Sequence, residues 1–214
     1  NGFRLVGDLL HLLSILLLIH KILTHRSCAG ISLKSIQLYF IVFLTRYIDL
    51  FTTYISLYNS SMKLFYLIST GALIYLIRTK FRATYDRDHD NFKLVFLIVP
   101  CALLALIFND EYTIIEVLWA FSIYLEAVAI FPQLVMLQRT KEIETLTADY
   151  VGALGAYRFF YILNWVYRYY VNDPLHYHSF VYICGIIQTA LYVDFFYYYL
   201  KSRWYGQKIV LPTQ

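Results

Sequence analysis

Apolar residues gather along this chain into seven runs, separated by short polar connections. The runs cover residues 4–22, 32–54, 62–79, 93–108, 112–136, 149–170 and 178–200, the fourth being the shortest. A helix needs roughly 17 to 25 residues to cross a bilayer, so each run is predicted to be a transmembrane helix. The connections leave no room for a soluble domain. Residues 1–214 therefore read as a single all-α transmembrane domain, with residues 201–214 as a tail beyond the last helix.

Ionisable residues interrupt these apolar runs at helical spacing. Arg158, Tyr161, Trp165 and Arg168 fall at i, i+3, i+7 and i+10, one face of the sixth helix. Glu116, Trp119 and Glu126 share a face of the fifth, Arg46 and Asp49 of the second, and Arg4 and His11 of the first. A charge inside the membrane costs a few kcal/mol or more, so such residues face a cavity and carry function by default. Four polar stripes predict one shared cavity, with Arg4, Glu116 and Arg168 near its mouth. Arg46 and Asp49 lie deeper, and His11, Glu126 and Arg158 lie at its floor. Tyr47 and Tyr157 adjoin the stripes. The bland alternative is that the charges pair only to hold helices together. His11 is the side chain at that depth whose ordinary pKa lies near neutrality, which makes it a candidate proton sensor.

Composition agrees with the pattern: 60% of residues are hydrophobic, 15% are charged, and the mean hydropathy is +0.56. A soluble domain of this size needs more polar surface. Thirteen of the eighteen lysines and arginines fall on one side of the predicted spans, three on the other, and Arg46 and Arg158 lie within them. The positive-inside rule then puts the C-terminus in the cytosol and the N-terminus in the lumen. The loop RTKFRATYDRDHDNFK is read as a solvated cytosolic turn and not as a binding site. No cleavable signal peptide is expected, because the first apolar run lacks a basic start and a small-residue cleavage site. Cys28, Cys101 and Cys184 lack metal spacing and read as packing residues. No metal or cofactor is expected, no nucleic-acid patch is apparent, and no catalytic array supports an enzyme.

GISLKS at 30–35 resembles ETLTAD at 144–149, each entering a helix. This weak repeat predicts two parallel three-helix bundles, about 4–79 and 112–200, joined by a linker helix at about 93–108, with the site at their interface. Pro132–Gln133 adds a helix-breaking point in the fifth helix.

The segments FRLVGDLLHLL, GISLKS, TRYIDLFTTYISLYN, EVLWAFSIYLEAVAIFPQL, YRFFYILNWVYRYY and YVDFFYYYL resemble the KDEL receptor family over essentially the whole chain. That family is related in architecture to SWEET and other PQ-loop proteins. The resemblance implies a pH-dependent cargo receptor of Golgi and endoplasmic reticulum membranes. It would bind C-terminal Lys/His-Asp-Glu-Leu signals of soluble luminal proteins and return with them in COPI vesicles. It further implies that Arg46 and Tyr47 take the terminal carboxylate, and that Arg4 and Arg168 meet the acidic side chains. Asp49, Glu116 and Trp119 would hold the first-position cation. Arg158, Tyr157, Glu126 and His11 would form a proton-linked latch. Asp194 would serve transport, and Lys201, Arg203 and Lys208 in the tail would meet the coat. Read from the residues alone, the runner-up is a proton-coupled transporter of a small zwitterionic or anionic solute. A structural scaffold is the third reading.

Overall fold

A computed structural model describes residues 2–51, 54, 56–140, 142–171 and 179–211. Lys141, His176 and His178, most of the loop 171–179 and the last three tail residues lie outside the described residues. Those that are described form nine α-helices: α1 Gly2–His25, α2 Leu33–Arg46, α3 Leu57–Arg78, α4 Val95–Ile107, α5 Ile114–Val128, α6 Phe131–Arg139, α7 Thr145–Tyr170, α8 Ser179–Leu191 and α9 Val193–Tyr205. They divide into two compact units, residues 32–133 and residues 1–31 with 134–214. Among the described residues α1, α3 and the stretch Ile114–Arg139 are long and apolar enough to cross a membrane. A fourth such span exists if α8 and α9, bent by 41°, count as one; α4 is a shorter apolar helix.

In the unit 32–133, α2 packs on α3 and α5, and α4 packs on α5. Its core includes Leu38, Val42, Phe43, Leu73, Ala120 and Leu125. Ser32 caps α2 by accepting from Ser35 N–H at 3.1 Å, satisfying one of the donors that a helix start leaves open. The sequence predicts a second helix running to residue 54, but α2 ends at Arg46. Tyr47 leaves helical geometry, and a 3₁₀ turn at Ile48–Phe51 follows. The third helix starts at Leu57 rather than 62, because Ser56 caps it by accepting from Asn59 N–H. The predicted fifth helix breaks at Ala129–Ile130, directly before Pro132 in the first turn of α6. In the first turn of α6 the proline ring removes no helical hydrogen bond, so the break suits it there. Gln133 N–H donates to Ser35 Oγ at 2.9 Å, and its side-chain oxygen accepts from Ser32 N–H at 2.8 Å. The start of α2 and the residue before Leu134 are thereby tied together.

The loop 79–94 departs from the expected solvated turn. It holds a 3₁₀ turn at Arg82–Thr84 and buries Asp90. Burial works to raise the Asp86 carboxyl, but the His89 backbone N–H and ring nitrogen outweigh it and hold the group below its ordinary value.

In the other unit, α1 lies along α7 in the most extensive helix pairing of the chain, and α8 and α9 also pack on α7. Close approach requires glycine at Gly7, where a Cβ would stand 2.8 Å from the Tyr161 ring. Lys21, near the end of α1, is buried. Its ammonium donates to Ala29 O and sits 3.1 Å from Glu144, which also pairs with His25 at 2.8 Å. The expected tail from residue 201 begins inside a helix, since α9 runs to Tyr205. Gly206, at φ 62, caps α9 in the left-handed region that favours glycine. The chain then folds back: Ile143 N–H donates to Ile209 O at 3.0 Å, and Lys208 pairs with Glu142 at 2.5 Å.

Candidate functional site

Of the polar stripe residues of the unit 32–133, Glu126 meets Arg46. Its guanidinium lies 2.6 Å from the Glu126 carboxylate, Nε donates to Ser122 Oγ at 3.1 Å, and Nη2 donates to the Ser122 carbonyl at 3.1 Å. Ser122 Oγ in turn donates to the Trp119 carbonyl at 2.6 Å, which fixes its lone pairs toward the arginine. The Arg46 side chain is 18% exposed and that of Glu126 is 3% exposed. An arginine keeps its proton and its planar fork in such a setting, and here one carboxylate and one serine hold that fork in place.

Asp49 lies on the 3₁₀ turn, not on the same helical face as Arg46 as the spacing suggested. Lys63 of α3 donates to both of its oxygens at 2.9 and 2.8 Å. The same ammonium stands 5.8 Å from the Tyr47 ring centre, and Tyr47 stacks on Phe43. Glu116 sits in the first turn of α5, where its N–H donates to the capping Thr113 hydroxyl at 3.2 Å. A carboxylate is favoured at that end of a helix.

The stripe residues of the other unit gather on the α1–α7 seam. His11 stacks on Tyr157 with ring centres 4.3 Å apart and planes within 6°, both residues buried. Gln188 of α8 donates to the Tyr157 hydroxyl at 3.3 Å. One turn along α7, the Tyr161 hydroxyl donates to Asp8, whose carboxylate lies 3.9 Å from Arg4. Arg158 is buried, with its guanidinium 5.2 Å from the Trp165 ring centre, in cation–π range. Arg168 is half-buried near the end of α7. Asp194 is exposed in the first turn of α9, and Lys201 and Arg203 are exposed in its later turns. Arg203 pairs with Asp149.

Sequence reading missed four residues that the structure brings to these clusters: Asp8, Ser122, Lys63 and Gln188. Asp8 stands four residues after Arg4 and three before His11, and Ser122 three after Trp119 and four before Glu126. Helical spacing alone could have found both. Lys63 could not be found so, because its partner lies in a turn.

A family model described as "ER lumen protein retaining receptor" matches residues 27–168. The chain is 55% identical over 213 residues to the "ER lumen protein-retaining receptor" of Drosophila melanogaster, covering 100% of both chains. It belongs to the ER lumen protein-retaining receptor family. A second relative of that name, from Petunia hybrida, is 55% identical over 215 residues and covers 100% of each chain. The one from Plasmodium falciparum is 49% identical over 215 residues, covering 99% of this chain and 97% of its own. Membership makes this a receptor-family chain of the secretory pathway, with apolar helices suited to a membrane, and not a member of an enzyme family.

Proposed function

We propose that this chain is a pH-dependent receptor for C-terminal Lys/His-Asp-Glu-Leu signals, loading luminal cargo in the Golgi and releasing it in the endoplasmic reticulum. The observation that carries the reading is the Arg46 fork, half-buried and held by Glu126 and Ser122. Such a group suits a chain-terminal carboxylate, with Tyr47 beside it. Arg4 and Arg168 take the acidic side chains of the signal. Asp49, Glu116 and Trp119 take the first-position cation, an exchange that Lys63 foreshadows by occupying Asp49. Tyr161 and Trp165 line the peptide path. His11, Tyr157, Arg158 and Glu126 form the proton-linked latch. Asp194 and the cations Lys201, Arg203 and Lys208 communicate with a COPI coat.

In this reading the chain makes seven passes: α1, α2, α3, α4, α5 with α6, α7, and α8 with α9. The N-terminus is luminal and the C-terminus cytosolic.

Binding of a Lys-Asp-Glu-Leu peptide as free acid and as amide tests the assignment. Charge-assisted hydrogen bonds contribute about 1.5 to 3 kcal/mol each, so amidation is expected to weaken binding at least about tenfold. Arg46→Lys keeps a charge beside Glu126 but loses the fork, and is expected to weaken the acid comparably and to discriminate little between acid and amide. Equal binding of acid and amide by the unaltered protein would overturn the reading.

The pH sense follows from linkage. If the bound state holds His11 protonated, binding takes up a proton, and affinity rises as pH falls from about 7.4 to about 6, through the ordinary histidine range near 6.5. His11→Ala is expected to flatten that profile; an unchanged profile would move the proton to another group.

A further inference from the structure

The loop after α3 forms one wall of a cavity of about 530 Å³, within the roughly 300–1,000 Å³ of small-molecule sites. Four cations reach its lining from separate parts of the unit 32–133. Lys34 comes from the first turn of α2, Arg78 from the end of α3, Arg82 from the 3₁₀ turn and Arg87 from the loop beyond. The acidic residue of the lining, Asp90, is buried and committed to hydrogen bonds. Its oxygens accept from Ser32 Oγ at 2.7 Å, from the Lys34 N–H at 3.2 Å and from the Tyr85 hydroxyl at 2.6 Å. Four cations against one committed carboxylate leave the concavity strongly positive, and low-dielectric walls focus such a field on an anion. Arginine forks match phosphate geometry, and a phosphomonoester carries close to two charges near neutrality.

The position of the cavity selects the source of the anion. Arg78 is the last residue of α3, one of the helices long and apolar enough to cross a membrane, and the Ile68 and Tyr75 side chains of α3 are exposed. A ligand at the end of that helix lies at headgroup depth, with apolar surface beside it for acyl chains. The geometry points to a binding site for the phosphorylated headgroup of an acidic membrane lipid of the phosphoinositide class, held by Lys34, Arg78, Arg82 and Arg87. The site requires α3 to cross a membrane but does not depend on the peptide assignment, and either can fail without the other.

Titration calorimetry of the full chain in detergent with dioctanoyl phosphatidylinositol 4-phosphate is expected to show saturable, one-to-one binding. Each lining cation that pairs with the headgroup phosphate is worth about fivefold in affinity. The double variant R78Q/R82Q should therefore lose roughly 25-fold. K80Q/K93Q removes the same charge from residues outside the lining and should stay within about twofold. An unchanged melting temperature verifies that both double variants are folded. Equal losses in the two doubles would reduce the effect to diffuse attraction and overturn the site. Equal affinity for dioctanoyl phosphatidylserine, which lacks a phosphomonoester, would also overturn it. Displacement by inorganic phosphate at concentrations matching the lipid would keep a phosphate site but overturn the lipid as its ligand.

Discussion

The Arg46–Glu126 pair sets the energetics of the candidate site at the scale of single residues. Taking one partner from a buried pair leaves an uncompensated charge and costs about 3 to 5 kcal/mol, whereas the intact pair contributes far less. Glu126→Ala is thus expected to lower the melting temperature in detergent markedly, and Glu126→Gln, which keeps an acceptor for the guanidinium, to lower it less. The reverse order would mean that Arg46 relaxes toward solvent on losing its partner. Sequence spacing made both Arg46 and Glu126 visible as intramembrane charges, but not as partners. It assigned Asp49 to Arg46 through the i, i+3 relation, which holds only while the helix continues. Once α2 stops at Arg46, Asp49 turns to Lys63, a residue the sequence marked only as one more cation outside the spans.

Among the helices, the boundary best read in advance was the one with a covalent cause. Pro132 announced the α5–α6 break. The bend between α8 and α9 had a quieter signal. Thr189 Oγ1 donates back to the Gly185 carbonyl at 2.9 Å, and Tyr192 N–H reaches Thr189 O at 3.1 Å, an i→i−3 bond in place of i→i−4. Threonine back-bonding and a 3₁₀ step are known causes of bending, but neither is compelled by composition. The α1–α7 seam was likewise hidden, because pairing partners distant in sequence leave no local periodicity. Its tightness is testable at Gly7. Gly7→Ala places a methyl group against a Tyr161 ring already anchored on Asp8. Overpacking of this kind costs about 1 to 3 kcal/mol, and a lowered melting temperature is expected. No change would mean that the seam yields without strain.

For the whole molecule, the helical class and the apolar character followed directly from hydropathy. The grouping of helices did not, since nothing in the pattern says that α1 lies along α7 or that α2 lies on α5. Orientation rests on charge bias and is checked with glycosylation tags: an N-terminal tag is expected to be modified in the lumen and a C-terminal tag to stay unmodified. Modification at the C-terminus would invert the assignment. A further constraint comes from the bonds that close each unit on itself. Ser32 touches Gln133, and Ile143 touches Ile209. If these contacts lie at one face of a bilayer whose apolar core is about 30 Å thick, the chain crosses an even number of times between them. If α2, α3 and α5 cross, parity obliges α4 to cross as well. If α7 crosses, the Ile143–Ile209 contact obliges the α8–α9 pair to act as its single return. With only 13 residues, α4 spans about 20 Å, and the bilayer must thin or its flanks must unwind to meet it. Labels on cysteines placed at Asn91 and Glu111 should then react from opposite faces; reaction from the same face would break the parity and the seven-pass reading with it.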